Sequence, residues 1–239
     1  MKRRFTDTIG DLAQALTSLV LPSTCEVCGC ALVKGEDIMC LHCTGNMPMV
    51  DLHSEDFSIL HERLAGRLLF ERVGAMFWYY RDTPYAHLIH HAKYDGRPRI
   101  GRILAQRYAI KLRNDGFFDG IDAIIPIPLS PLKLLRRGYN QSDAIARGLS
   151  DVSGIKIADG LRTSRYRATQ TRRNAYARWL NARNGFKPVA EKLKGVSHVL
   201  IVDDVLTTGA TILAAAEAIH CYDPTIKLSV FTLAASHLR

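Results

Sequence analysis

Residues Val199 to Thr211, Val-Leu-Ile-Val-Asp-Asp-Val-Leu-Thr-Thr-Gly-Ala-Thr, constrain this chain more than any other stretch. Four consecutive apolar β-formers, Val199 to Val202, read as a strand buried on both faces, the habit of parallel sheets. Two carboxylates, Asp203 and Asp204, follow where the strand's carboxyl end must emerge, the place where open parallel sheets bind ligands. Adjacent acids there need hydroxyls, a metal ion or cations. Thr207 to Thr211 then brings hydroxyls and a glycine directly before the helical run Ile212 to His220. Free amides and the positive end of a helix dipole therefore converge on one point and select an anion. Thr-Thr-Gly alone is an ordinary helix start, and Asp-Asp alone a solvated strand end; their order carries the information.

The rest of the chain alternates in the same way. Strands are expected at Val73 to Tyr80, Ile121 to Ile127, Ser197 to Val202 and Lys227 to Leu233, and helices at Tyr85 to Lys93, Gly101 to Arg113 and Asn140 to Ser150. This pattern predicts an α/β fold with a mostly parallel sheet and helices on both faces. With 239 residues, 47% of them hydrophobic, the chain can bury one good core and carry a small module beside it. The α/β domain is placed at 73–239 and the module at 1–55. Trp78 and Cys221 read as packing residues, and His87, His90 and His91 as helix surface or boundary positions.

Five of the six cysteines fall between Cys25 and Cys43. Cys25-Glu-Val-Cys28 and Cys40-Leu-His-Cys43 form two C-x₂-C knuckles, each able to present two thiolates to one tetrahedral zinc ion. Cys30 and His42 lie close enough to compete; the symmetric knuckles favour Cys25, Cys28, Cys40 and Cys43. A closed site of four cysteines leaves no position for water, so the zinc is expected to be structural.

The formal charge of +9 favours anionic partners. It is concentrated: Lys133 to Lys187 holds thirteen basic residues against three acidic ones, a larger excess than that of the whole chain. Within this stretch Arg162, Arg165, Arg167, Arg172, Arg173, Arg178 and Arg183 are interleaved with Tyr166, Tyr176, Trp179 and Phe186. Guanidinium groups and rings in alternation suit single-stranded nucleic acid, through phosphate contacts and base stacking. At the N-terminus, Ile9, Leu12, Leu16, Leu19 and Val20 give an amphipathic helix interrupted by Asp7, Asp11, Gln14 and Thr17. No apolar run there suits secretion or membrane spanning, and a cytoplasmic protein is expected. Gly-x-x-x-x-Gly-Lys-Ser/Thr and Gly-x-Gly-x-x-Gly are both absent, which argues against a P-loop nucleotidase and a dinucleotide site.

In the order apolar strand, two acids, Thr-Thr-Gly-x-Thr, the 199–211 segment resembles the 5-phosphoribosyl 1-pyrophosphate (PRPP) signature of type I phosphoribosyltransferases. The resemblance implies that Asp203 and Asp204 hold the ribose hydroxyls and serve catalysis, while Thr207, Thr208, Gly209, Ala210 and Thr211 wrap the 5-phosphate. Further segments join it: Lys93-Tyr94-Asp95-Gly96, Pro126-Ile127-Pro128 continuing to Arg136-Arg137-Gly138-Tyr139-Asn140-Gln141, and Thr169-Gln170-Thr171-Arg172-Arg173-Asn174. With the N-terminal cysteines, they resemble the ComF family of competence proteins along nearly the whole chain. That family implies a phosphoribosyltransferase core, an N-terminal zinc finger and a place in DNA uptake during natural transformation, with other uptake proteins as partners and the inner face of the cytoplasmic membrane as a working location. It implies that the turn around Leu129 to Lys133 faces pyrophosphate and that the arginine-rich stretch is a loop closing over the site. Arg136, Arg137, Arg172 and Arg173 become candidate PRPP contacts, with Mg²⁺ accompanying the ligand. Two functions stay open: phosphoribosyl transfer from PRPP to an acceptor the residues do not name, and a non-catalytic single-stranded DNA-binding competence factor using the PRPP site as a ligand sensor.

Overall fold

The computed structural model describes residues 23–66, 68–94, 96–164 and 185–236. The helix expected within Met1 to Leu21, and Arg172 and Arg173 with most of the arginine-rich stretch, lie outside the described residues. In chain order the elements are α1 (Leu41–Gly45), α2 (Glu55–Glu62), β1 (Arg72–Tyr79), α3 (Ala86–Tyr94), α4 (Pro98–Asn114), β2 (Ala123–Pro126), α5 (Pro131–Arg137), α6 (Gln141–Ser153), β3 (Lys156–Ile157), β4 (Leu161–Thr163), β5 (Phe186–Pro188), α7 (Ala190–Leu193), β6 (His198–Leu206), α8 (Ala210–Tyr222) and β7 (Lys227–Ser236). The chain divides into two compact units, Met1–Met47 and Pro48–Arg239. Residues 48–72 thus belong to the larger unit.

Five strands form one sheet in the order β1-β7-β6-β2-β3, every pair parallel. The runs read as buried strands are buried: Val199, Leu200, Ile201 and Val202 have no exposed surface. Side-chain alternation divides the core. Val199, Ile201, Leu228 and Val230 face α8, which supplies Ile212, Ala215, Ala216 and Ile219. On the other face Phe231 stacks on Tyr108 of α4, ring centroids 5.9 Å apart, and Gly101 of α4 lies against Ile145 of α6 and Leu233. The expected α/β architecture with helices on both faces is therefore present.

Cys221 departs from the expectation. Ile212, Ala215, Ala216 and Ile219 of α8 form the stripe packed on the sheet, and Ala214 is buried as well. Cys221, in the last turn of the helix, is exposed. Trp78 is buried, as expected, and its indole N–H donates to Asp56 Oδ2 at 3.1 Å.

Two local differences shape the carboxyl edge of the sheet. Strand β6 continues beyond Val202 to Leu206, with Asp203 opposite Thr232 and Leu206 opposite Ala235 on β7. On its other side β2 ends at Pro126, opposite Val202. The last four residues of β6 therefore overhang β2, and both acids sit on the overhang. Where a turn was expected around Leu129 to Lys133, the chain forms α5. Ser130 starts this helix by accepting from the Lys133 amide at 3.4 Å, and Gly138 ends it with φ 78°, the left-handed conformation that glycine adopts without a Cβ clash.

Candidate functional site

From β6 the chain crosses to β7 on one side, whereas from β2 it continues to β3 on the other. A crevice must open between β2 and β6 at such a reversal, outside the carboxyl ends of the strands. Asp203 and Asp204 stand at this crevice. The Asp203 carboxylate accepts from its neighbour's amide, Asp204 N, at 2.9 Å and from Ser142 Oγ at 3.1 Å. Asp204 pairs with Lys93 Nζ at 3.1 Å, both side chains mostly buried. Burial, reinforced by the charge of Asp204, pushes the Asp203 carboxyl up to about 7. Near neutral pH this residue is ready to release a proton when a cation or hydroxyl donors reach it.

The segment Thr207 to Thr211 follows directly after the strand. Thr207 and Thr208 are exposed, and Gly209 starts α8 with φ 74° and no side-chain cap. No acidic residue occupies the first turn. The amides of that turn have no partners within the helix, so they and the helix dipole are available to an anion. Gly209 is required twice, by its backbone angle and because a Cβ there would stand 2.7 Å from Leu64 Cδ2 and 3.1 Å from Arg63 O.

The segment 126–142 supplies the opposite wall. Asn140 donates from Nδ2 to Ile127 O at 3.1 Å, and its Oδ1 accepts from Ser142 N at 3.3 Å. That cap fixes the start of α6 and so the aim of Ser142 at Asp203. Gln141, 3% exposed, accepts from Arg137 Nη1 at 2.8 Å through Oε1. Tyr139 donates its hydroxyl to Ala92 O at the last turn of α3.

Of the residues singled out from sequence, Asp203, Asp204 and Thr207 to Thr211 come together at one edge. Arg137 is half-buried and tied to Gln141, whereas Arg136 is exposed on α5. Ser142 escaped sequence reasoning although it adjoins the Arg-Arg-Gly-Tyr-Asn-Gln motif. Gln141, which ends that motif, and Lys93 were parts of motifs without a role. Nothing local signals these contacts, since Ser142 meets an acid 61 residues away.

The chain belongs to the phosphoribosyl transferase domain family. The family's sequence model, described as "Phosphoribosyl transferase domain", matches residues 98–237. That span begins at α4 and includes both walls of the crevice. DNA utilization protein YhgH of Salmonella typhimurium is 34% identical over 140 residues, covering 56% of this chain and 60% of that protein. Competence protein F of Haemophilus influenzae is 33% identical over 135 residues, covering 54% and 58%. The chain thus spans about 60% of the length of the curated relatives it matches. These relatives agree with the resemblance to the ComF family drawn from the motifs. Among solved structures, the glutamine PRPP amidotransferase from B. subtilis, complexed with ADP and GMP, is 20% identical, with a TM-score of 0.33, covering 57% of this chain and 26% of that one.

In the smaller unit the sulfurs of Cys25, Cys28, Cys30 and Cys40 lie within 4.8 Å of one another. Tetrahedral zinc–thiolate geometry places sulfurs about 3.8 Å apart, and Cys28 Sγ lies 3.3 Å from Cys30 and 3.8 Å from Cys40. The cluster can hold a metal ion such as zinc. Cys30 joins it because Gly29, φ 76°, turns the chain back, so that Cys25 N donates to Cys30 O at 2.8 Å. Cys43, which the knuckle spacing favours, is buried beside the cluster, its amide donating to Cys40 Sγ at 3.5 Å. Hydrogen bonds from Cys30 hold the Cys28 thiol down at about 6, while the neighbouring sulfurs of Cys28 and Cys40 push Cys30 up to about 12. Such unequal thiols crowded together are what a bound cation equalises, by binding all of them as thiolates. Among the described residues, no helix is long and apolar enough to cross a membrane.

Proposed function

We propose that the crevice binds PRPP with Mg²⁺ and transfers its phosphoribosyl group to an acceptor, within a protein that serves DNA uptake. The observation that carries this reading is the overhang of β6: two acids project past the end of β2, and an uncapped helix start follows five residues after the second. Asp203 and Asp204 take the ribose hydroxyls. Thr207, Thr208, Gly209, Ala210 and Thr211 take the 5-phosphate through amides and hydroxyls. Departure of pyrophosphate leaves an oxocarbenium-like ribose, and cations facing the leaving group lower that barrier. Arg137, held by Gln141, is one candidate for that task; Arg136, Arg172 and Arg173 are the others. Magnesium, bound with the ligand, supplies additional charge neutralisation. Zinc on the cysteine cluster has a structural role.

Titration calorimetry with Mg-PRPP on the wild type and on the Asp203→Ala, Asp204→Ala double variant tests the assignment. Heat is expected from the wild type alone; equal heats from both proteins remove the ribose reading.

A second reading, a non-catalytic competence factor that binds single-stranded DNA and senses PRPP, is favoured by the names of the relatives and by the alternation of arginines with Tyr166, Tyr176 and Trp179. Pyrophosphate release from PRPP across a panel of bases and amines separates the two. Release supports transfer. Silence, together with DNA affinity that falls steeply with salt, supports the sensor.

A further inference from the structure

The reading of the crevice as a PRPP site leaves one strong contact without a role, the ion pair between Lys93 and Asp204. Its 3.1 Å separation and low exposure make it a built feature of the ligand-free crevice. A divalent cation arriving on Asp204 competes with the ammonium that Lys93 places on Oδ2. An ammonium displaced by that repulsion needs a new partner.

The neighbouring surface indicates where. Lys93, Tyr139, Gln141 and Asp204 are the polar groups beside one small cavity of about 10 Å³, whose remaining lining, from Ile89 to Leu233, is apolar. Gln141 is 3% exposed, and with its Oε1 occupied by Arg137 its Nε2 is a buried donor without a partner. Buried donors left unpaired are costly, and one that persists marks a place where a ligand or water completes the bonding. The missing group must be an acceptor, because Gln141 Nε2 and Lys93 Nζ both donate. A pyrophosphate oxygen fits this description. A ribose hydroxyl, already committed as a donor to the acids, fits it less well.

We propose that Lys93 is a transferable counter-ion: it neutralises Asp204 in the empty site and, resting on the PRPP reading, passes to the pyrophosphate when Mg-PRPP binds. Charge balance drives the transfer. A cation arriving with the ligand repels an ammonium on the same carboxylate, whereas the pyrophosphate it accompanies attracts one. The movement belongs to the side chain. The Tyr139 hydroxyl pins Ala92 O, so the last turn of α3 stays in place, while the four-carbon stem of lysine provides the reach. The site thereby distinguishes ligands with a pyrophosphate from those bearing only ribose and a 5-phosphate. The second class must break the ion pair without offering the ammonium a new partner.

The test compares Mg-PRPP with ribose 5-phosphate on the wild type, Lys93→Met and Lys93→Arg, by calorimetry, with Mn²⁺ binding in the absence of ligand followed by electron paramagnetic resonance. Lys93→Met is expected to lose roughly tenfold or more in PRPP affinity, the effect of one charge-assisted hydrogen bond. The same variant should bind ribose 5-phosphate no more weakly than the wild type, and Mn²⁺ more tightly, because Asp204 is freed. Lys93→Arg retains the preference for PRPP. Equal losses for both ligands, or no change in either with Mn²⁺ binding unaltered, overturn the proposal. A melting curve identifies misfolding in Lys93→Met, in which case loss of the PRPP preference in Lys93→Arg would count against the transfer. If the wild type binds neither ligand, or the Asp203→Ala, Asp204→Ala variant binds both, the PRPP reading itself fails. If the wild type binds PRPP and only the Lys93 pattern is missing, the counter-ion alone is refuted.

Discussion

Asp203 shows how one residue can serve binding at a cost to folding. Burial and the adjacent Asp204 raise its carboxyl from 3.8 to about 7. Between those values the folded protein keeps a proton that the unfolded chain has lost. This group's contribution to stability is therefore full below pH 4 and declines as pH rises toward 7. Asp203→Asn removes the decline. Thermal unfolding of the ligand-free variant should occur at a higher temperature than the wild type at pH 8 and at nearly the same temperature at pH 4, while its Mg-PRPP heat is lost. A variant that is less stable at pH 8 would show that the Ser142 and Asp204 hydrogen bonds to this carboxylate outweigh its burial. Residue identity at such positions was legible, since an acid pair after a buried strand is an uncommon combination. The partners were not: Lys93 and Ser142 reach Asp204 and Asp203 from other elements, and no local periodicity links them.

At the scale of elements, the crevice depends on how closely α4 and α6 approach. Both helices begin at the edge that carries the acids, and Gly148 of α6 lets them touch: a Cβ there would stand 2.3 Å from Arg102 O and 2.9 Å from Ala105 Cβ. Gly148→Ala must push α6 outward, shifting Ser142 and Gln141 at its start. We expect a loss of about 1–3 kcal/mol of stability in denaturant unfolding, as for other overpacked cores, together with weaker Mg-PRPP binding. The expected helices and strands of this unit exist, each with ends displaced by a few residues, because hydrophobic periodicity marks an element's middle and tertiary hydrogen bonds set its ends. Helix α5 was missed: its exposed Leu132 and Leu135 bury no stripe that periodicity could detect. The cysteine knuckles give a second prediction. Cys25, Cys28, Cys30 and Cys40 form a cluster that can hold a metal ion such as zinc, with Cys43 beside it. If Cys30 is a ligand, Cys30→Ser lowers the zinc content measured by mass spectrometry or metal assay, and Cys43→Ser does not; the reverse result restores the symmetric pair of knuckles.

For the molecule as a whole, the sheet order β1-β7-β6-β2-β3 converts separate motifs into one site. It sets β2 beside β6, so the start of α6, which follows β2, meets the acids of β6, and it leaves β6 overhanging a strand that ends in proline. The sequence alone determined the fold class, the acid pair, the glycine-bearing start of α8 and the presence of a cysteine cluster. Each is written in contiguous residues whose chemistry is local: buried strands need unbroken apolar runs, anions need free amides, and metals need clustered thiols. Only the tertiary structure decided that Lys93 neutralises Asp204, that Gln141 holds a donor in reserve, that Cys30 joins the sulfur cluster and that Cys221 faces solvent. Those outcomes depend on which strands become neighbours and how far each extends, and that is settled by packing across the whole core, to which no short stretch of sequence has access.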